Sequence, residues 1–340
     1  PGAKDEVVET IQTATDETLY FFTNKGNCFM LDVSKIPETM KLKDRGSLLT
    51  GLIAGLADHE HAVAMVCVKT DEMAKKGDFL FITKNGQVKR TSAAEYGIRR
   101  ARFAAINLKG DDELIGMVQV DPADKDDIIL ITKQGLALRF KLDTVSCTGR
   151  ATAGVRGIDV GQGDEVRWFE IPKAGDMLLV ISDRGFGKRM LSDDVEWQGR
   201  AGKGQKLLPM NKTGETGTQL AVCLNVTGAQ SVRVEQKHGH ATTLNMDEVT
   251  VERRSSKGQL LINVLLDDIV QGGKAAFLVI EPAKGEYKHI FGSRAAVYGT
   301  NPTLTPLLKI NPFAFPDVMI LTPPFLEFAI ASYALVYLPY

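Results

Sequence analysis

Five short segments of the chain combine arginine or lysine with glycine, alanine or serine, and we call them the basic loops. They are residues 41–46, 99–102, 149–157, 198–204 and 252–258. The cations that we single out in them are Lys43, Arg45, Arg99, Arg100, Arg102, Arg150, Arg156, Arg200, Lys203, Arg253, Arg254 and Lys257. Arginine presents a planar fork of N–H donors to phosphate oxygens, and small neighbours let backbone N–H groups approach an anion. The basic loops therefore predict contacts with the phosphates of a nucleic acid.

The same loops lack the residues that read a base sequence. Direct reading favours Asn or Gln beside arginine on a rigid helix or ribbon in a groove, and the sequence shows no such set. We therefore expect duplex DNA binding that tolerates any sequence, bends the duplex and weakens steeply with salt. A single basic loop is more readily explained as a solvated surface, but five loops in one phase of a repeat are not.

An internal repeat determines where the basic loops fall. An apolar run, one or more polar residues and a glycine recur five times, and the marker glycines are Gly26, Gly86, Gly135, Gly185 and Gly239. Successive marker glycines are 60, 49, 50 and 54 residues apart, and a period near 50 is typical of a propeller blade. In four repeats the first arginine follows the marker glycine by 13 to 15 residues. A closed, repeated architecture would place equivalent loops around one rim.

Each repeat predicts a β-hairpin followed by further strands. The half before the glycine is short and apolar, as in residues 79–83, and the half after it alternates, as in residues 87–91, with one face to the core and one to water. Asn85-Gly86 predicts a two-residue turn with positive φ at both positions. After the basic loop we predict another apolar strand, at 105–108, 155–158, 206–209 and 260–263. The fold class is therefore all-β and β-propeller-like, with five to six blades of about four strands.

The amino-acid composition excludes a strong electrostatic field from the chain as a whole. The formal net charge is −1 and 44% of the residues are hydrophobic, so positive charge must be segregated locally if the chain binds DNA. The four cysteines are far apart in the sequence, which fits a reducing compartment such as the cytoplasm. The chain opens on Pro1 rather than Met, and we interpret it as part of a longer protein.

The segment Phe21-Phe22-Thr23-Asn24-Lys25-Gly26, the basic loops and the period of about 50 residues together resemble a known family. This family is the C-terminal domain of the A subunits of the bacterial type IIA topoisomerases, gyrase and topoisomerase IV, and the resemblance covers roughly residues 8–270. It implies a β-pinwheel whose blades exchange strands, and a rim that binds, bends and wraps duplex DNA. It also implies an ATP-dependent enzyme that changes DNA supercoiling, with this domain as an accessory.

The resemblance further implies partners and cofactors. The partners would be duplex DNA, the rest of the A subunit, and through it the ATPase B subunit of an A2B2 enzyme associated with the nucleoid. ATP and Mg²⁺ would be used by other domains and by the B subunit. We expect no catalytic residue, cofactor site or metal site in this chain, and no membrane partner.

A seven-residue segment bears on which branch of the family the chain resembles. Residues 198–204, Gln-Gly-Arg-Ala-Gly-Lys-Gly, match five of the seven positions of the gyrase heptad Gln-Arg-Arg-Gly-Gly-Lys-Gly. The family heptad lies near the start of the domain, whereas this segment lies in the fourth repeat, so we interpret it as an ordinary basic loop. The sequence does not distinguish a gyrase domain from a topoisomerase IV domain, and the segment Gly26-Asn27-Cys28 slightly favours topoisomerase IV.

Other candidate sites have simpler explanations. The histidine pairs His59/His61 and His238/His240 lack a third ligand nearby in sequence, so we expect surface turns. We expect Trp168 and Trp197 to be packing residues, and no aromatic is interleaved with the basic loops as a single-strand groove requires. Two alternative functions remain: a propeller-type protein-interaction scaffold, and a propeller enzyme with a central polar site.

The C-terminal segment differs from the rest. We assign residues 1–274 to the β-pinwheel domain and residues 275–340 to an atypical, apolar and proline-rich tail. A frameshifted or chimeric segment explains the tail best, and a blade remnant is the alternative. Its best apolar window, residues 325–340, is shorter than the roughly 20 residues that a membrane helix needs.

Overall fold

A computed structural model describes residues 6–38, 46–211, 213–228, 230–265, 267–276, 319–321 and 332–338. In chain order the strands are β1 (Glu6–Thr13), β2 (Thr18–Thr23), β3 (Asn27–Asp32), β4 (Ser47–Leu48), β5 (Ala62–Val68), β6 (Asp78–Thr83), β7 (Gln87–Ser92), β8 (Arg102–Ala104), β9 (Leu114–Val120), β10 (Asp127–Thr132), β11 (Leu136–Lys141), β12 (Val155–Arg156), β13 (Val166–Glu170), β14 (Met177–Ser182), β15 (Phe186–Leu191), β16 (Gln205–Lys206), β17 (Leu220–Val226), β18 (Ser231–Gln236), β19 (Ala241–Asn245), β20 (Gln259–Leu260), β21 (Val270–Ala276), β22 (Met319–Leu321) and β23 (Ser332–Leu338).

Helical structure is confined to short turns among the described residues. One turn of α-helix, α1, spans Leu49–Leu52. The 3-10 turns are Val33–Lys35, Thr70–Lys76, Ala93–Tyr96, Leu142–Thr144 and Ser192–Asp194. All but one of these 3-10 turns directly follow the second strand of a hairpin, so they connect that hairpin to the basic loop. The all-β class predicted from the repeats is confirmed.

The chain forms two compact units, which we describe separately. Unit one holds residues 1–125, 142–157 and 310–340, and unit two holds residues 126–141 and 158–309. We name the sheets of the five repeats blades 1 to 5. Unit one contains blade 1 (β5-β2-β3-β8), blade 2 (β9-β6-β7-β12) and a further sheet, β1-β23-β22-β4. Unit two contains blade 3 (β13-β10-β11-β16), blade 4 (β17-β14-β15-β20) and blade 5 (β21-β18-β19).

The fourth strand of each four-stranded blade comes from the next repeat in the chain. Strand β8 follows the hairpin of blade 2, yet it pairs with β3 of blade 1, where Phe29 lies opposite Arg102. In the same way β12 pairs with β7, β16 with β11, and β20 with β15. Each of these short strands covers part of the open edge of a hairpin by pairing with two or three of its residues. The strand exchange that the family resemblance implied is therefore present in blades 1 to 4.

The hairpin turns differ from the prediction. Gly86 has a φ of 78°, but Asn85 is not among the residues with positive φ. The Gly86 N–H donates to the Thr83 carbonyl (3.0 Å), which closes a type I turn, and the glycine then takes the left-handed position of a three-residue loop. The Thr83 hydroxyl accepts the Gln87 N–H at 3.0 Å. A Thr or Ser hydroxyl has the same role in blades 1, 3 and 4, which explains the polar residue that ends each apolar run.

The acidic turns cap these hairpin turns. The carboxylate of Asp112 accepts the Asn85 N–H at 2.8 Å, and Asp164 accepts the Gln134 N–H at 2.9 Å. Asp268 accepts the His238 N–H at 3.1 Å in blade 5. These carboxylates are therefore held at the hairpin turns by backbone N–H groups.

The core lies where the first strand of each hairpin is paired on both sides. Strands β2, β6 and β10 are buried along their whole length, which is why their sequences are continuous apolar runs rather than alternating ones. In unit one, Phe22 packs edge-to-face on Phe79, Phe81 and Tyr96 with ring centroids 5.6 Å apart. In unit two, Trp168 is 6% exposed and belongs to the core, as predicted.

Part of the C-terminal tail is paired in unit one. Strand β23 pairs with β1, and β22 pairs with β4 and β23. The remaining residues beyond 276 lie outside the described ranges, and the interpretation of the tail as a frameshifted or chimeric segment stays a prediction.

Candidate nucleic-acid interface

Each of the four basic loops that the structure describes, 99–102, 149–157, 198–204 and 252–258, leads from the end of a hairpin to an exchanged strand. The loops are therefore anchored at both ends: by the hairpin of their own repeat and by pairing with the preceding blade. Lys43 and Arg45 of the first loop fall outside the described residues. Arg102 lies on β8, which begins three residues before the predicted strand 105–108. Arg156 lies on β12, which ends two residues before the end of the predicted strand 155–158. A strand occurs at or next to each of the four predicted places, but it has two or three residues instead of four.

Two arginines of unit one project freely from the second basic loop. Arg99 and Arg100 are exposed, and within the described part of the chain neither guanidinium has a hydrogen bond or an ion pair. The loop before them is fixed by Tyr96, whose buried ring lies in the aromatic cluster and whose hydroxyl donates to the Ala105 carbonyl at 2.9 Å. A rigid backbone therefore carries two uncommitted cations.

Two other arginines of unit one are held against the protein. Arg102 lies over the Phe29 ring at 5.2 Å and donates to the Gly55 carbonyl at 3.2 Å. Arg150 lies over the Phe103 ring at 5.1 Å and donates to the Ala104 carbonyl at 2.6 Å. Each guanidinium keeps further N–H donors beyond these contacts, because arginine carries five. Both side chains are thus oriented before any ligand arrives.

A polar cleft adjoins the basic loop 149–157 in unit one. Its volume is about 460 Å³ and its lining includes Arg156, Lys109, Asn85 and Gln87. Two cations, two amide side chains and the buried Asp112 line it together with Gly154 and Val155. The cleft lies beside Arg156 and extends the basic surface of this unit.

Unit two carries two basic loops of the same build. Lys203, Arg253 and Lys257 are exposed, and Arg200 is half-buried. Arg254 is engaged instead, because its guanidinium donates to the carbonyls of Asp194 (3.2 Å) and Lys206 (3.1 Å). Arg254 therefore braces the loop, whereas Arg253 and Lys257 remain available to a ligand.

The glycine that ends each of these loops is required by strand exchange. A Cβ on Gly204 would lie 2.6 Å from the Ala137 carbonyl oxygen, and a Cβ on Gly258 would lie 2.4 Å from that of Gly187. Both glycines also have positive φ. The last glycine of the segment 198–204 therefore has a packing role that it shares with the last glycine of the loop 252–258.

Two lysines that the sequence analysis did not single out lie beneath the basic loops. Lys89 on β7 and Lys188 on β15 are 1% and 0% exposed, so the predicted simple alternation of core and solvent positions after the marker glycine is wrong. The signal was a lysine at the third residue after Gly86 and again after Gly185. Burial lowers the pKa of both amines to about 8.

A charged cluster in blade 3 also borders a basic loop. Arg139 donates to Asp127 at 2.9 Å and to Asp193 at 3.0 Å, and the Trp197 indole N–H donates to Asp127 at 2.6 Å. Trp197 is 61% exposed and lies next to the loop 198–204, so the prediction that it is a packing residue was wrong. The Lys141 ammonium lies 3.7 Å from the centroid of the Trp197 ring.

The other candidates yield no site. Among the described residues there is no group of three His, Cys, Asp or Glu side chains that could hold a metal ion. In the same part of the chain, no helix has the length and apolar character needed to cross a membrane.

The fold and the loops define a β-propeller-type repeat protein with exchanged strands and basic loops. The sequence profile of the family described as "DNA gyrase C-terminal domain, beta-propeller" matches residues 17–41, 77–121, 126–173 and 176–216. The chain belongs to this family.

Curated relatives agree with this assignment, and a solved structure has the same fold. The chain is 34% identical to the gyrase A protein of Deinococcus deserti over 263 residues, which cover 76% of the chain and 31% of the relative. It is 32% identical to the gyrase A protein of Chlamydia trachomatis over 254 residues, covering 74% and 29%. The chain thus spans about a third of the length of these relatives. A crystal structure of the C-terminal domain of DNA topoisomerase IV has the same fold, with a TM-score of 0.72 at 24% identity over 81% of the chain and 84% of that structure.

Proposed function

We propose that the chain binds duplex DNA without reading its sequence, and bends and wraps it as the accessory domain of a type II DNA topoisomerase. The observation that carries the proposal is that equivalent loops present exposed cations with no partner among the described residues, namely Arg99, Arg100, Arg253 and Lys257. Phosphates supply most of the affinity of such binding, and a fixed loop loses little conformational freedom when it meets them.

The chain's own residues suggest how it would bend DNA. The four described basic loops are short and anchored at both ends, so their cations can neutralise phosphates only where the duplex comes to them. Bending a stiff duplex over such fixed points costs a few kcal/mol, which the added phosphate contacts offset. The proposal includes two protein partners in the cytoplasm at the nucleoid: the rest of the A subunit, and through it the ATPase B subunit. ATP and Mg²⁺ would act in those other parts.

The test is a DNA-bending assay on a duplex of about 100 base pairs, shorter than the persistence length. The end-to-end distance is followed by energy transfer between terminal dyes at low and moderate salt. We expect compaction that salt reverses. Compaction of the duplex that does not depend on salt concentration, or no binding at low salt, would contradict the proposal. Binding to a protein that does not depend on salt concentration would favour a protein-interaction scaffold instead.

Variants locate the surface. Arg99→Ala with Arg100→Ala, and Arg253→Ala with Lys257→Ala, remove exposed cations without touching the core. Lys125→Ala with Lys237→Ala is the matched control, because both lysines are exposed and lie outside the basic loops. Each loop variant should lower the slope of log affinity against log salt by roughly 2 and the affinity by about ten- to a hundredfold, and the control should change neither.

A further inference from the structure

Lys188 occupies an unusual position for a charged side chain. It lies on β15 with none of its surface exposed, and its ammonium donates to the backbone carbonyls of Arg253 (2.9 Å), Arg254 (2.7 Å) and Ser256 (2.5 Å). An ammonium has three N–H donors and no acceptor, so these three carbonyls use its whole capacity. All three belong to one basic loop.

Lys89 repeats the arrangement in unit one. It lies on β7, at the same position after the marker glycine, and is 1% exposed. Its ammonium donates to the carbonyl of Ala105 at 3.0 Å and to that of Arg150 in the basic loop 149–157. A buried ammonium therefore donates to a basic loop in both units, to three of its carbonyls in blade 4 and to one in blade 2.

The contact determines which way the loop faces. A buried charge is costly unless hydrogen bonds compensate it, so the native loop is the conformation that turns its carbonyls towards the ammonium. In blade 4 that conformation leaves Arg253 and Lys257 exposed on the outer side of the loop. A cation inside the blade thus fixes the backbone that carries the cations outside it.

We propose that Lys188 and Lys89 are positioning residues for DNA binding. Lys188 holds three carbonyls of the loop 252–258 and Lys89 holds the Arg150 carbonyl of the loop 149–157, so that the outer cations of each loop are already arranged for phosphate contacts. This inference rests on the function proposed above. It adds that affinity depends on two side chains that no DNA can reach.

Blade 3 supplies the natural comparison. Leu138 stands at the equivalent position and is fully buried, and its loop, residues 198–204, contains Ala201 at a φ of 68°. A blade can therefore form with an apolar residue at this position. Lys188→Leu is consequently a substitution with a precedent in the same chain, and Lys188→Met is a second uncharged variant of nearly unchanged length.

Deprotonation of these amines at high pH should affect stability and DNA binding in opposite directions. Lys188 faces Glu252, Arg254 and Asp194, and Lys89 faces Arg150, Glu95 and Cys147. Burial lowers the pKa of both lysines from 10.5 to about 8, whereas the unfolded chain keeps the ordinary value. Between these two values the unfolded state binds more protons, so the contribution of these groups to stability rises with pH. The cation that holds the loop carbonyls is lost over the same range.

The first experiment is a double-mutant cycle in the full chain, read out as affinity for a duplex of about 100 base pairs at fixed salt. It combines Lys188→Leu with the pair Arg253→Ala/Lys257→Ala. We expect Lys188→Leu alone to lower the affinity about tenfold, and the loop pair to cost much less in the Lys188→Leu background than in wild type. The control cycle with Arg99→Ala/Arg100→Ala, in the other unit, should be additive. Additivity in both cycles would overturn the proposal.

The second readout is the pH profile of affinity from about pH 7 to 9 at constant ionic strength. Wild type should bind more weakly above about pH 8 without a fall in its unfolding temperature. The step should shrink in Lys188→Met and disappear in Lys89→Met/Lys188→Met, and identical profiles in all three would overturn the proposal. Failure of wild type to bind any duplex would contradict the proposed function instead. Amide exchange in residues 252–258, with and without Lys188→Met, would then decide whether the lysine orders the loop.

Discussion

Side chains of one type have opposite roles in this chain, and burial separates them. Arg99 and Arg253 are exposed and available, whereas Arg139 is buried between two carboxylates. Burial raises the pKa of Asp127, but hydrogen bonds from Lys141, Arg139 and Trp197 outweigh it, so the pKa lies below the usual range. A count of arginines and lysines in the sequence therefore overestimates the number of side chains that can contact phosphates.

Asp127→Asn should destabilise the protein by about 2–3 kcal/mol at pH 7, because it leaves Arg139 in the interior with Asp193 as its remaining carboxylate. The folded pKa of Asp127 is lowered, so its contribution is present above the unfolded value near 3.9 and is lost as the pH falls through the folded value. Urea unfolding at about pH 7 and about pH 2.5 measures this loss. Asp143→Asn, at an exposed position, is the control and should stay within about 0.5 kcal/mol of wild type.

Trp197 offers a direct report on the fourth basic loop. Its indole is largely exposed beside residues 198–204, whereas Trp168 is buried. In a Trp168→Phe background, duplex DNA should change the intensity or the emission maximum of Trp197 fluorescence, and salt should reverse the change. An unchanged spectrum at saturating DNA would show that DNA does not approach this loop.

At the level of elements, each hairpin turn depends on one glycine, but the demands on that glycine differ between blades. Gly185 has a φ of 81°, and a Cβ there would lie 2.0 Å from the Ile262 carbonyl oxygen. Gly239 has a φ of 87°, and a Cβ there would meet nothing within 4 Å. The marker glycine of blade 4 thus serves both the turn and the exchanged segment that packs on it.

Gly185→Ala should therefore cost about 3 kcal/mol or more, since strain at positive φ adds to the displacement of a packed strand. Gly239→Ala should cost about 1 kcal/mol from the backbone strain alone. Thermal unfolding of the two variants measures the difference. Equal losses would show that the close approach at Ile262 carries no energetic weight.

The sequence predicted the hairpins, the basic loops and the acidic turns because each depends on neighbours within a few residues. It did not predict that Asn85 keeps negative φ, because the Thr83 hydroxyl favours a longer turn. It placed Lys89 on an alternating strand, because the carbonyls that compensate a buried ammonium come from residues 16 and 61 positions away. The pairing of β8 with β3 came only from the family resemblance, since a three-residue strand has no periodicity to recognise.

For the molecule as a whole, strand exchange means that damage in one repeat is felt in the repeat before it. The loop glycine Gly204 follows the hairpin of blade 4 in sequence, yet its neighbour is Ala137 of blade 3. Gly199 lies in the same loop, and a Cβ there would meet nothing within 4 Å. Substituting Gly204 therefore tests the packing of the exchanged strand on blade 3. Substituting Gly199 changes the composition of the same loop without affecting that packing.

Gly204→Ala should raise the amide exchange rates of β11 by at least about tenfold, while β15, in its own repeat, should change less. Gly199→Ala should leave both strands as in wild type. Hydrogen exchange followed by peptide-resolved mass spectrometry makes the measurement. Faster exchange confined to β15 would contradict the coupling to the preceding blade.

The exchanged strands also bear on how such a chain can evolve. Because blades 1 to 4 each take their last strand from the following repeat, the sequence period and the structural blade are out of phase. Duplication or loss of one whole period, cut at any point, leaves every internal hairpin with a donor downstream. The number of repeats can therefore change by one at a time without leaving an internal blade short of its fourth strand. Each step adds or removes one basic loop, so the extent of the charged surface is inherited in discrete units.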